Sequence, residues 1–426
     1  MTSIDSLSEI VLGNVKVPAE DEKHIVPFLQ RIKKTFGIPL ALVHDMGKGI
    51  LKAVGEVFPG VPDFICHFHF LRDIGKDFFG AEYDTIRKRL SKHGIRAKLL
   101  YRAKRLKRTM DANPGLMESL GTGLQGVPPS ASEAHRLLPV LNAYTLIQWT
   151  LSSKGESDGY GFPFDCAHLA FTKRIASLSE YLERIKDIDR PGMWMNNLPY
   201  ARLQVALRPI IKDRTLWKAV KTIEGKVIVF EKLRAAMRIA AKSGKGGLND
   251  RGGSTNMRSI EKGVEKFRAW LSRSKNYSHN PEARKMIEQI DKYREKLFAD
   301  AIVVKTPTGS ILIQPQRTNN ILEQFFRSLK HANRRKTGNA SSCRMLRSML
   351  AETPLVRNLE NHAYMNILLN GKTSLEEVFA EIEIDTLREA FRQAQETPEK
   401  IPSKLKPLIA LPNFPEKLVN TLRGAA

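Results

Sequence analysis

Two carboxylates stand where the chain turns into a helix: Asp45 in "PLALVHDMGKGILKAV" and Glu323 in "RTNNILEQFFRSLKHANRRKTGN". Carboxylate oxygens are hard donors suited to divalent cations, and open α/β sheets hold their ligands at the C-terminal ends of strands. A corner of a metal-dependent site is therefore one reading of Asp45. Each residue also has an ordinary helix-entry role. An Asp between a strand and a helix is a common N-terminal cap, worth about 1 kcal/mol. Asn320-x-x-Glu323 fits a capping box, and Glu323–Arg327 is an i, i+4 pair worth about 0.2–0.5 kcal/mol. Residue types alone leave both readings open.

The elements that must position these groups follow from the apolar pattern. A strand is predicted over Ile10–Val17, then an amphipathic helix over Asp21–Phe36 with Ile25, Phe28, Leu29 and Ile32 on its apolar face. A short buried strand, Leu40–His44, delivers Asp45. The helix Lys48–Phe58 puts Ile50, Leu51, Val54 and Phe58 on one side, and Pro59-Gly60 breaks it. "DFICHFHF" then reads as another strand, which gives an α/β layer pattern with at least two parallel strands.

Residues 71–300 are mostly long helical patterns, with a basic helical run at Ser91–Met110 and a Gly-, Ser- and Asn-rich flexible loop at Lys242–Asn256. Strand signal returns in "AIVVKTPTGSILIQP", a hairpin by its Pro307-Thr308-Gly309 turn. On the helix after it, Ile321, Leu322, Phe325, Phe326 and Leu329 share one face, and Glu323, Arg327, Lys330 and Arg334 the opposite one. The tail to Ala426 reads as helical with proline breaks. No internal repeat is present.

Sixty-nine Lys and Arg against 45 Asp and Glu give a net charge of +24, so the outer field attracts polyanions. Nucleic acid is the first candidate, because each phosphate neutralised releases counterions whatever the base sequence. The Ser91–Met110 run carries eight of these cations and no acid, which would self-repel without a polyanion partner. No apolar run reaches the roughly 18 residues that span a bilayer, and Met1 opens on polar residues. Cys66, Cys166 and Cys343 lie too far apart for a disulfide framework. A reduced, cytoplasmic protein of two or three domains is expected, with no membrane partner.

Taken together, "VHDMGKGILKAVGEVFPGVPDFICHFHFLRDI" and, far downstream, "RTNNILEQFFRSLKHANRRKTG" resemble the DDE transposases of the Mutator-like and related bacterial insertion-sequence groups. The pieces that carry the resemblance are an Asp after a strand, a "VFPG" helix end, a Cys-x-x-His element, and an Asn-x-x-Glu opening a basic helix. It is strongest over residues 5–90 and 300–350.

The resemblance implies an α/β ribonuclease H-like fold interrupted by a large all-helical insertion, predominantly helical overall. Residues 1–90 would be the first part of the core, 91–300 the basic insertion, 301–350 the closing hairpin and Glu helix, and 351–426 a helical tail. It implies that Asp45 is the second catalytic carboxylate and Glu323 the third, both ligands of Mg²⁺ or Mn²⁺. A two-ion centre, about 3.5–4 Å between ions, would clamp the attacking and leaving oxygens of a phosphoryl transfer. The partners would be transposon-end and target DNA, with the chain as a homo-oligomer on DNA, associated with a prokaryotic nucleoid.

By the same resemblance Cys66 and His69 are the Cys-x-x-His element on the strand after Asp45, with His69 touching the active site or flanking DNA. A zinc reading finds no second ligand pair nearby, and a half-buried strand explains the alternation equally well. Arg327, Lys330, Arg334 and Arg335, together with Arg102, Lys104 and Arg105, are the expected DNA-facing cations.

The family also needs a first Asp on its first strand. Asp5 lies in "IDSLSEIVL", which looks like the family's later hairpin turn, and only 40 positions before Asp45, too few for three strands and a helix. The first catalytic Asp and the N-terminal end-reading domain are therefore expected to be absent, as in a truncated or split polypeptide. The alternative is a catalytically inactive DNA-binding transposase remnant. A basic structural or ribosome-associated protein accounts for the charge but leaves the hairpin and the Asn-x-x-Glu helix unexplained.

Overall fold

Apolar residues recur at helical spacing through most of the chain, and its computed structural model is predominantly helical with a few small sheets. The structure describes residues 1–112, 132–153, 159–188, 198–239, 257–277, 279–307, 309–339, 341–351 and 353–395. The loop expected at Lys242–Asn256, Thr308 of the hairpin turn and the tail beyond residue 395 lie outside them.

In chain order the elements are β1 (Thr2–Ile4), β2 (Val11–Asn14), α1 (Glu22–Phe36), β3 (Leu42–His44), α2 (Lys48–Val57), β4 (Asp63–Ile65), α3 (His67–His93) and α4 (Ile95–Asp111). Then come α5 (Ser132–Leu151), α6 (Ala167–Ile188), α7 (Leu198–Ile211), α8 (Arg214–Met237), α9 (Met257–Arg273) and α10 (Pro281–Leu297). The hairpin β5 (Ile302–Thr306) and β6 (Gly309–Ile313) leads to α11 (Asn320–Thr337), α12 (Ser342–Ser348), a 3₁₀ helix (Thr353–Glu360), α13 (His362–Leu369), α14 (Leu375–Ala380) and α15 (Ile384–Gln395). The described strands pair only in twos: β1 with β2, β3 with β4, β5 with β6.

The chain divides into two units. The first combines Met1–Pro39, Gly47–Pro59 and Asn320–Ala426; the second combines Leu40–Met46 and Gly60–Asn319.

In the first unit the expected strand over Ile10–Val17 is β2, and Thr2–Ile4 pairs with it antiparallel. Asp5 makes the turn between them, accepting hydrogen bonds from Ser8 N (2.7 Å) and Ser8 Oγ (2.5 Å). The outer edge of β2 does not end in water. Buried Asn358 accepts from Val11 N and donates to Val11 O, both at 2.8 Å, so one side-chain amide stands in for a third strand. Asn361 donates to Ser8 O (2.6 Å), and Asn14 to Ala351 O (2.6 Å). Helix α1 is capped by Asp21 and packs on α2 through Ile25, Phe28 and Leu29.

In the second unit α3 is the axis. Phe70, Leu71, Ile74 and Phe78 are buried along it at helical spacing, with Phe70 edge-on to Tyr293 of α10, and α8 packs on α3. Gly75 is required by that closeness: a Cβ there would lie 2.4 Å from Pro163 Cγ and 2.9 Å from Phe230 Cε2. Gly75→Ala gains about 1 kcal/mol of helix propensity but overpacks the core, which costs about 1–3 kcal/mol and often more at such distances. A net loss of about 1–2 kcal/mol in urea unfolding is expected. Gly80→Ala on the same helix, with nothing within 4 Å, should be neutral or slightly stabilising.

Asp213, whose side chain is 2% exposed, ties the end of α3 to the start of α8. It caps α8 through Leu216 N (3.0 Å) and accepts from Arg89 Nε (2.7 Å), with the His93 ring at 2.7 Å. The basic run expected as one helix over Ser91–Met110 breaks at Gly94, whose φ of 58° is left-handed and turns the chain from α3 into α4. Among the described residues, no helix is long and apolar enough to cross a membrane.

Candidate functional site

Parallel pairing sets the geometry around Asp45. Strands β3 and β4 are in register as Leu42↔Asp63, Val43↔Phe64 and His44↔Ile65, and Cys66 N donates to His44 O at 2.9 Å. The next positions along the two strands are Asp45 and Cys66. The sequence allowed Asp45 to be a helix cap, and it is not one: α2 starts at Lys48 with Gly47 at the cap position and no side-chain cap bond. Instead Asp45 Oδ1 accepts from Asn319 Nδ2 at 2.6 Å and lies 2.8 Å from His69 Nδ1. Cys66 donates through its thiol to Asn319 Oδ1 at 3.1 Å. One amide thus bridges the carboxylate and the thiol.

The strand expected through "DFICHFHF" stops at Ile65. Cys66 stands at the cap position of α3 without a side-chain cap bond, and His67, Phe68 and His69 form its first turn, so Cys66 and His69 lie on a strand end and a helix, not on one strand. The alternating aromatics imitate a strand for six residues; the continuation Phe70, Leu71, Ile74 decides for a helix. Cap and third helical residue share a face, so the Cys-x-x-His spacing brings thiol and imidazole together.

His69 is buried, which opposes its charge, yet the Asp45 carboxylate and Cys66 outweigh burial and raise its pKa to about 9. His67 has a structural task, with its Nε2 2.5 Å from Leu297 O and its ring edge-on to Phe298.

Asp45, Cys66 and His69 offer ligand atoms that all lie within 4.8 Å of one another. The resemblance implies Mg²⁺ or Mn²⁺ at Asp45. Mg²⁺ prefers an octahedron of oxygens, whereas the group contains a thiol, an imidazole and a single carboxylate. Within this unit that donor set does not by itself fit Mg²⁺.

Glu323 is assigned to the first unit, in the first turn of α11, where the helix dipole favours a carboxylate. The capping box would make Asn320 the cap, but α11 begins at Asn320 itself, and the amide of the preceding Asn319 is engaged with Asp45 and Cys66. Phe325 is the buried centre of the apolar face, while Glu323, Arg327, Lys330 and Arg334 are exposed, as the periodicity predicted, and Arg335 is exposed beside them.

Arg102, Lys104 and Arg105 lie on α4 in the second unit. Among the described residues no carboxylate pairs with any of the eight cations of the basic run. Lys98, Arg102 and Arg105 line a cavity of about 500 Å³ with Arg202 of α7 and the ring of Tyr101. Burial, with Arg202 and Arg105 close by, holds the pKa of Arg102 below its usual value. Sequence reasoning missed Asn319, which was visible only as the first Asn of a pair, and Arg202, which no local pattern distinguishes.

No family model, curated protein or solved structure matches the chain.

Proposed function

We propose that this chain is a DNA-binding polypeptide of the DDE transposase type, with a ribonuclease H-like core, acting on transposon-end and target DNA as a homo-oligomer. Asp45 and Glu323 are its assigned carboxylates, for Mg²⁺ or Mn²⁺. The observation that carries the reading is Asp45 itself. It follows a parallel strand, has no capping duty, and keeps a part-exposed carboxylate oriented by an amide. The cations of α4, which pair with no carboxylate among the described residues, and the exposed basic face of α11 support a polyanion partner.

A second reading, a catalytically inactive DNA-binding remnant, is favoured by the thiol and imidazole beside Asp45. One set of measurements tests both. The purified chain should bind duplex DNA, and Asp45→Asn and Glu323→Gln should bind it equally well. Two assigned carboxylates are one short of a DDE set, so no nicking of supercoiled plasmid is expected in Mg²⁺ or Mn²⁺. Metal-dependent nicking abolished by either substitution would mean that the catalytic set is complete here. Mn²⁺ titration followed by electron paramagnetic resonance separates the readings: bound Mn²⁺ lost in both Asp45→Asn and Glu323→Gln supports the transposase, and none bound, or binding that Glu323→Gln leaves intact, supports the remnant. No DNA binding at low salt would overturn both.

A further inference from the structure

We propose that Asp45, Cys66 and His69 form a zinc centre with three protein ligands and one open position. The inference does not rest on the transposase reading. Thiolate, imidazole and carboxylate are the ligand types that Zn²⁺ takes, and three protein ligands with a fourth site left open is the pattern of reactive zinc centres. Ligand–metal distances of about 2.0–2.3 Å place tetrahedral donors about 3.3–3.8 Å apart. The three donors here lie within 4.8 Å of one another, so closing on an ion moves the widest pair by about 1 Å.

Their supports are rigid. Asp45 and Cys66 leave two paired strands that are tied by Cys66 N to His44 O, and His69 is fixed by the first turn of α3. Cys66 is fully buried and the His69 side chain is 4% exposed, whereas the Asp45 side chain is 40% exposed. The open position therefore faces solvent on the Asp45 side. Asn319, whose Nδ2 donates to Asp45 Oδ1, becomes the outer-shell residue that orients the carboxylate, while the proton that Cys66 now gives to Asn319 Oδ1 is released to solvent when the thiolate binds zinc.

The test is the metal content of the full-length chain after expression in zinc-supplemented medium and exhaustive dialysis. About one zinc per chain is expected, retained in Cys343→Ser, whose thiol is exposed and outside the group. Cys66→Ser and His69→Gln should lose it. Because both sites are buried and a variant can fail to fold, the wild-type chain is also reconstituted with Co²⁺. Tetrahedral visible bands with a thiolate-to-cobalt charge-transfer band are expected. Asn319→Ala should weaken Zn²⁺ binding by about 10–100-fold, the usual effect of losing an outer-shell partner. A folded wild-type chain with no bound zinc and no charge-transfer band overturns the proposal, as does full zinc content in folded Cys66→Ser. None of these readouts uses DNA, so failure here leaves the DNA-binding reading standing, and failure of DNA binding leaves the zinc centre standing.

Discussion

Raising salt from 50 to 200 mM is expected to weaken duplex DNA binding by about 10³–10⁵-fold, the loss that accompanies neutralisation of about six to ten phosphates. Helix α4 is the expected source of much of that slope. Some surface cations of the second unit are paired with acids: Arg268 with Asp291, and Arg294 with Glu261 and Glu265. Among the described residues no carboxylate pairs with a cation of α4, and Arg102, Arg105 and Arg202 crowd one cavity with no acid among its described lining residues. Substituting Arg102, Lys104 and Arg105 together with Ala should reduce the slope of log K against log salt by up to about 3, roughly 1 for each phosphate that is no longer neutralised. Fluorescence anisotropy of a labelled duplex over the salt range measures both quantities. A flat response would remove DNA as partner; an unchanged slope in the triple variant would move the interface away from α4.

Asp213→Asn should destabilise the second unit by about 2–4 kcal/mol, a shift of about 30- to 1000-fold in its unfolding equilibrium. Asn preserves the volume and can still cap α8, but it leaves the Arg89 guanidinium without its anion in a largely buried site. Removing one partner of a fully buried pair costs about 3–5 kcal/mol; the lower figure here allows for Arg89, whose side chain is 29% exposed. The pH dependence has a definite sign. Burial opposes ionisation of Asp213, but Arg89, His93 and the Leu216 amide outweigh it and hold its carboxyl far below the usual carboxylate range. In the unfolded chain an Asp titrates near about 3.9. The stabilisation is therefore fully present above about pH 5 and is lost as pH falls toward the folded value. The difference between wild type and variant in urea midpoint should shrink as pH falls below about 5. A difference that persists undiminished at low pH would show that packing, not charge, is what Asp213 supplies.

The sequence was most legible where one periodicity ran long enough. Helices α1 and α2 and the β5–β6 hairpin fall within a few residues of their expected bounds, and α11 presents the predicted faces. The errors have local causes. At "FICHFHF" a short alternation coincides with a helix start, and only the helical spacing of Phe70, Leu71 and Ile74 beyond it separates the two. At Gly94 a single residue without a Cβ breaks a run whose composition is uniformly helical. Thr2–Ile4 is too short to signal a strand and is held by pairing with β2. Of the candidate site, Asp45, Cys66 and His69 were all singled out, but their convergence depends on parallel register and a helix cap. Neither is written in the spacing of one chain segment. Asn319 joins them from 274 positions beyond Asp45, a distance over which no local pattern operates.

The route of the chain also sets a schedule for synthesis on the ribosome. Val11 is closed by Asn358, 347 positions later. At elongation rates of about 5–20 residues per second, that amide arrives about 20–70 s after the strand it covers. During this interval the hairpin keeps an open edge, while the second unit, which ends at Asn319, has all of its residues translated and can fold first. A nascent chain stalled or cleaved soon after Asn319 would thus contain one finished body and an unsealed strand, the species most prone to edge-to-edge aggregation. The protein's vulnerability lasts until Asn358 has emerged, and a holdase acting on the β1–β2 hairpin would protect it better than one acting on the helical bulk.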